Sequence, residues 1–331
     1  MKKLITVALL AAMGLSLVSC SNDGGSSSSG SSASGSETSA SASGTASAAT
    51  VGTAVQLSQE ADAESATFDA IFAAVLLDGD GKIIDCEIDQ TEYQPTPDGA
   101  EVDVRSKMEK GDDYGMVSAG ASTMEWYSQV GAFEEYVVGM TGDEVAAIEM
   151  TDGKATDADL TAGCTIAVDG FVSAVKAACD NASAEAGSTD KLAIAVTTAD
   201  GSGSDEAAFD TDFCAVTVDG EGVVTSCYID TVQASVGIAN GAFDAASIAN
   251  NSKKALGDDY GMVAAGASTM EWYTQAENFE SYVVGKTADE VASTALTDGK
   301  ATDADLAAGC TISIESILAN TEKAISAADA E

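Results

Sequence analysis

The chain has no histidine. That removes the usual general base of a Ser-His or Cys-His pair and a common ligand of zinc sites. Basic residues are scarce: 14 Lys and Arg stand against 54 Asp and Glu, a formal charge of −40 over 331 residues. This balance argues against binding nucleic acid and against direct adhesion to anionic lipid, both of which need basic patches. The acidity itself reads as a solvated surface. The apolar run Leu4 to Val18 is too short for a comfortable membrane span. Ser21 to Thr53 holds no large apolar residue before Val51, so it cannot bury enough surface to offset its ordering entropy.

The N-terminus is organised for export. Lys2 and Lys3 precede the apolar run, which stops at Leu17-Val18-Ser19-Cys20. Residues 1–19 therefore read as a signal peptide. The tetrapeptide resembles a bacterial lipobox, which implies a lipidated Cys20 and a protein tethered to the membrane on its extracytoplasmic face. An ordinary signal with an incidental cysteine is the alternative. Residues 20–53 read as a disordered Ser/Gly/Ala leash. Apolar residues make up 45% of the chain, enough for cores in the remainder.

That remainder is duplicated. Gly111 to Thr165 and Gly257 to Thr311 align without a gap, and roughly three quarters of positions are identical. The duplication extends upstream: Phe68 to Asp89 matches Phe209 to Asp230. Each copy reads as strand, Gly-rich turn, strand, a β-hairpin. In the second strand Ile84, Cys86 and Ile88 should share a core face, with Asp85, Glu87 and Asp89 wet on the other. Asp78-Gly-Asp-Gly reads as a hairpin turn and not a calcium loop, because Ile83 and Asp89 fall where an EF-hand needs Gly and Glu. Gln90 to Lys110 and Thr231 to Leu256 differ between copies and read as a variable loop or lid. Helical spacing follows from Thr123 through Val138, with Gly139 as its stop. Ser122 and Thr123, like Ser268 and Thr269, read as N-caps, with Glu125 and Glu271 in the first turn. Thr141 to Glu144 and Thr287 to Glu290 are capping boxes; Thr156 to Asp159 and Thr302 to Asp305 have a related form. The pattern predicts an α+β fold of two tandem homologous domains, 54–182 and 193–331, joined by a linker at 183–192, each a hairpin or antiparallel sheet packed with helices.

Both copies close on one cassette, Asp159-Leu-Thr-Ala-Gly163-Cys-Thr165 and Asp305-Leu-Ala-Ala-Gly309-Cys-Thr311, followed by an alternating stretch and a helix. Alternation turns Cys164, Ile166 and Val168 to one face and presents Thr165 on the other; Cys310 and Thr311 repeat this. A Cys nucleophile is not supported, since nothing nearby lowers the thiol pKa. Bridges Cys86–Cys164 and Cys227–Cys310 are one account of the cysteines and buried free thiols the simpler one. Trp126, Tyr127, Trp272 and Tyr273 suit either a planar ligand or a core.

The cassette resembles that of the FMN-binding domain of bacterial extracytoplasmic redox proteins, which ends in Asp-x-x-Ser-Gly-Ala-Thr before a helix. Here alanine replaces the serine and cysteine the alanine. The resemblance covers the hairpin and about the last two dozen residues of each repeat. It implies that a flavin transferase esterifies FMN to Thr165 and Thr311. Gly163 and Gly309 would give the cofactor room, and Asp159 and Asp305 would position metal or hydroxyl. The protein would then be a membrane-anchored flavoprotein, an electron carrier serving an extracytoplasmic redox partner and not a catalyst. The alternative is a non-redox surface lipoprotein whose duplicated domains bind a ligand, peptide or cell-wall component, with the cassette a Gly-bounded turn between strand and helix.

Overall fold

The computed structural model describes residues 48–330; the signal peptide, Cys20 and the leash up to residue 47 lie outside them. The first repeat runs β1 (Ala48–Ala61), β2 (Ala66–Leu77), β3 (Ile83–Tyr93), α1 (Lys107–Lys110), α2 (Trp126–Val137), α3 (Gly142–Ala146), β4 (Met150–Thr151), β5 (Lys154–Ala155), α4 (Ala158–Gly163) and α5 (Asp169–Asn181). After a connecting β6 (Ala184–Gly187), the second runs β7 (Lys191–Asp200), β8 (Glu206–Val218), β9 (Val224–Ala239), β10 (Ala242–Phe243), β11 (Ala249–Ser252), α6 (Lys253–Leu256), α7 (Trp272–Val283), α8 (Ala288–Ala292), β12 (Leu296–Thr297), β13 (Lys300–Ala301), α9 (Ala304–Gly309) and α10 (Glu315–Ala330). The fold is α+β and its sheets are antiparallel: β3-β2-β1-β6 in one, β10-β9-β8-β7 with β11 on β9 in the other, and two small hairpins.

Each central strand is buried on both faces, which is why it reads as a near-continuous apolar run. In β2, Ala73, Val75 and Leu77 face the helices of their own repeat. Ala70, Phe72, Ala74 and Leu76 face the other sheet, against Val196, Phe213, Ala215 and Val232. Helix α5 covers β1 and β2, and α10 covers β7 and β8. The order is helices, sheet, sheet, helices, and the described residues form one compact unit.

Three expectations change here. Ala48 to Thr53 is strand, not leash. Ala49 and Val51 join the core between the sheets, and Gly52 faces α5, where a Cβ would lie 1.9 Å from the carbonyl oxygen of Ala178. The segment 183–192 is not a free linker, since β6 pairs with the start of β1. Finally, a β-bulge at Leu76/Leu77 shifts the register of β3. Ile84 consequently joins the intersheet core while Cys86 and Ile88 face the helices. Asp89 is buried, not wet. Its Oδ1 accepts the N–H groups of Gln90 and Met108, which ties β3 to α1.

The segment expected as a variable loop or lid is not a loop throughout the second copy. In the second it is mostly ordered pairing, with β9 running on to Ala239 and β11 returning against it. Asp78 Oδ1 accepts the N–H groups of Asp80 and Lys82, both at 2.9 Å, which builds the hairpin turn. Helix α2 ends before Gly139, whose φ of 83° is left-handed. Thr141–Glu144 and Thr287–Glu290 form capping boxes.

Candidate functional site

Most of the cassette is helix, not turn. Asp157 starts α4, its Oδ1 accepting the N–H groups of Asp159 (2.9 Å) and Leu160 (3.4 Å). Asp303 does the same for α9. Thr156 and Thr302, the expected caps, instead donate their hydroxyls to the carbonyls of Glu149 and Ala295. The chain then turns extended at Cys164 and Cys310. Both thiols are buried, Ile166 and Ile312 are half-buried, and Thr165 and Thr311 are exposed. The alternation expected from the sequence is therefore present.

What holds the threonine is a residue the sequence reading passed over. Gln129 of α2 is fully buried. Its Oε1 accepts both the N–H and the hydroxyl of Thr165, each at 2.9 Å. Its Nε2 donates to the Met124 carbonyl (3.1 Å) and to Ser122 Oγ (3.3 Å). Gln275 repeats the clamp on Thr311 at 2.8 and 2.9 Å, and on Met270 and Ser268. One amide thus joins the Gly-Ala-Ser-Thr loop to the cassette. The signal was available: a glutamine sits among the apolar positions Trp126, Val130, Phe133 and Val137 in both copies.

The loop is built differently from expectation. Ser122 and Thr123 do not cap α2. Glu125 occupies the cap position, and its carboxylate accepts the N–H groups of Met116 (2.9 Å) and Val117 (3.0 Å). Glu271 matches it. The carboxylate organises the loop in place of supporting the helix dipole from within the first turn. Trp126 and Trp272 are core, each 3% exposed. The exposed Tyr127 donates its hydroxyl to Asp112, as Tyr273 does to Asp258.

The remaining cassette residues divide. A Cβ on Gly163 would lie 2.6 Å from the Ala132 Cβ, and one on Gly309 would lie 2.6 Å from the Asn278 side chain. These glycines let α4 and α9 pack against α2 and α7. Asp159 and Asp305 are exposed in the first turns of α4 and α9, and the partner of each threonine is the glutamine and not the aspartate. The six described cysteines are free thiols. Burial pushes the Cys164 thiol up, and the Cys310 thiol up to about 11, so neither is a ready nucleophile.

Beside the first cassette lies a cavity of about 300 Å³, lined on its apolar side by Ile71, Trp126, Ile166 and Phe171 and on its polar side by Gln90, Lys107 and Asp169. Lys107 is only 6% exposed. Its ammonium stands 5.1 Å from the Tyr114 ring centre, 5.8 Å from that of Trp126, and 3.0 Å from Glu92. Lys253, Tyr260 and Trp272 reproduce the trio at 5.4 and 5.4 Å. The same Lys, Tyr and Trp spacing in both copies was its sequence signal.

No protein-family model matches the chain, and neither the curated proteins nor the solved structures provide a match.

Proposed function

We propose that the protein is a lipid-anchored, extracytoplasmic electron carrier with one FMN esterified to Thr165 and one to Thr311. The observation that carries this reading is the pose of the two hydroxyls. Each belongs to an exposed threonine, and each gives its proton to a buried glutamine oxygen. A hydroxyl that donates inward keeps its lone pairs outward, on the side from which a flavin transferase would deliver the phosphate. The N–H bond to the same oxygen holds the backbone, so the acceptor is presented in one orientation. Asp159 and Asp305 would position the transferase's metal or the hydroxyl. Gly163 and Gly309 contribute by seating the helices that lead to the threonines. FMN, when bound, supplies reversible electron transfer; an anchor at Cys20 would keep the carrier at the membrane, facing its redox partner.

Co-expression of the mature chain with a flavin transferase tests this. In-gel flavin fluorescence should survive denaturation, fall to about half in Thr165→Ala or Thr311→Ala, and vanish in the double variant. A dark wild-type band, or fluorescence retained by the double variant, overturns the covalent-flavin reading. The Lys107 cavity favours a second reading, a non-redox surface protein that binds a ligand.

A further inference from the structure

We propose that the Lys107 cavity of the first repeat binds a small, uncharged, largely apolar molecule bearing a carbonyl-type acceptor. This rests on the ligand-binding reading and supplies the ligand's chemistry; it does not depend on flavin attachment.

Size sets the first limit, since about 300 Å³ lies at the small end of ligand pockets. The walls set the second. Ile71, Ile166 and Phe171 are apolar, and the Phe171 ring packs edge-on against Trp126 with centroids 6.0 Å apart. Such a site favours a flat or compact hydrocarbon body.

The lysine sets the polar end. An ammonium has three N–H donors. Glu92 takes one. The faces of Tyr114 and Trp126 attract the charge but offer no directed lone pair. A carbonyl oxygen in the cavity supplies such an acceptor. Charge decides against ions. Glu92 already neutralises Lys107, and Asp169 lines the cavity, so an anion meets a carboxylate and an ammonium whose charge is already balanced. A cation meets the ammonium. A neutral acceptor meets neither repulsion.

The second repeat provides the contrast. Its Lys, Tyr and Trp are in place, but the equivalents of Ile71, Gln90 and Gly170 are Asp212, Thr231 and Ser316. Asp212 is buried there and accepts hydrogen bonds from Thr231 Oγ1, at 2.7 Å, and from Ser316. A hydrogen-bonded carboxylate thus stands where the first repeat has the apolar Ile71, and a serine side chain where it has Gly170. One ligand per chain is therefore expected, despite the duplication.

Titration of the mature chain, produced without a flavin transferase, tests this with benzamide, ethylbenzene, benzoate and benzylamine as probes. Calorimetry gives the stoichiometry, and saturation-transfer NMR detects weak binding. Benzamide should bind tightest, one per chain. Lys107→Met should weaken it about tenfold or more, Lys253→Met should leave it unchanged, and Ala167→Phe, which adds a ring at an exposed lining residue of the cavity, should abolish it. No benzamide binding at millimolar concentration overturns the proposal. So does an equal or tighter affinity for ethylbenzene, benzoate or benzylamine. A folded Lys107→Met chain that binds benzamide normally also overturns it. If circular dichroism shows Lys107→Met unfolded, Ala167→Phe decides, and retained binding in that variant overturns the site.

Discussion

Phe72 of the first repeat packs against Phe213 of the second, their ring centroids 5.1 Å apart. The two residues are equivalent, each closing a Phe-Asp-x-x-Phe run. The opening phenylalanines, Phe68 and Phe209, also meet, at 6.1 Å. Like positions touching like is the mark of an isologous, two-fold interface. Here the interface lies within one chain, and the inner faces of the two sheets form its core.

Neither repeat should then stand alone. Cutting between Gly187 and Asp190 leaves one fragment with Phe72 and Leu76 uncovered and the other with Val196 and Val232 uncovered. Each fragment is expected to self-associate or to unfold, and a mixture of the two to recover the native fold. Light scattering with circular dichroism checks this; a folded monomer from either half would contradict it.

Gly52 should tolerate no side chain. A methyl there would meet the Ala178 carbonyl oxygen at 1.9 Å and the Ala182 backbone at 2.9 Å, so α5 would have to lift from β1. Gly52→Ala is expected to cost on the order of 3 kcal/mol. Gly81 has a left-handed φ of 75° but open space around it, so Gly81→Ala should cost only about 1 kcal/mol. Urea unfolding of both variants measures the difference.

The glutamine clamp makes a separable prediction. Gln129→Leu keeps the size of the side chain but removes the acceptor of the Thr165 N–H and hydroxyl and the donor to Met124 and Ser122. Stability should fall by about 1–3 kcal/mol in urea titration. If Thr165 is a flavin acceptor, in-gel fluorescence should also fall at that site while Thr311, held by Gln275, keeps its share.

Much of this was legible because it is periodic. The hairpins, α2, the capping boxes and the face presenting Thr165 all follow from spacing. The misses have physical causes. The start of β1 is hidden because Ala49 between the sheets and Gly52 under α5 are the same small residues that make a leash. The face of Ile84 was misassigned because a bulge, which is not a compositional signal, changes the parity of β3. Thr156 has the residue type of a cap but stands one position before the true one, Asp157. Gln129 was passed over because a buried amide in an apolar stripe looks like noise until its partners are known. Nor could a sequence reading place Phe72 on Phe213, since periodicity says which face of a strand is apolar and not what covers it.

Stability should rise as the solution is acidified through about pH 6. Burial pushes the Asp89 carboxyl up to about 6, against the hydrogen bonds from Ser106, Met108 and Gln90 that pull it down. The folded state therefore holds this proton more tightly than the unfolded chain, whose carboxyl titrates near 3.8. The associated stability is present below the unfolded value and is lost as pH climbs through the folded one. At about 1.4 kcal/mol per pH unit, the interval amounts to ~3 kcal/mol. Asp212, Asp230 and Glu280 are raised by burial as well and act in the same direction. Glu144 and Glu290 are lowered by their capping boxes, but they are exposed and contribute little. Asp89→Asn keeps the Oδ1 acceptor and removes the charge. It should therefore stabilise the chain at pH 7.5 and flatten its urea midpoint between pH 7.5 and 4.5. A wild-type midpoint that falls steadily over that range, or an Asp89→Asn variant that tracks it in parallel, would show that the buried carboxyl does not govern the profile.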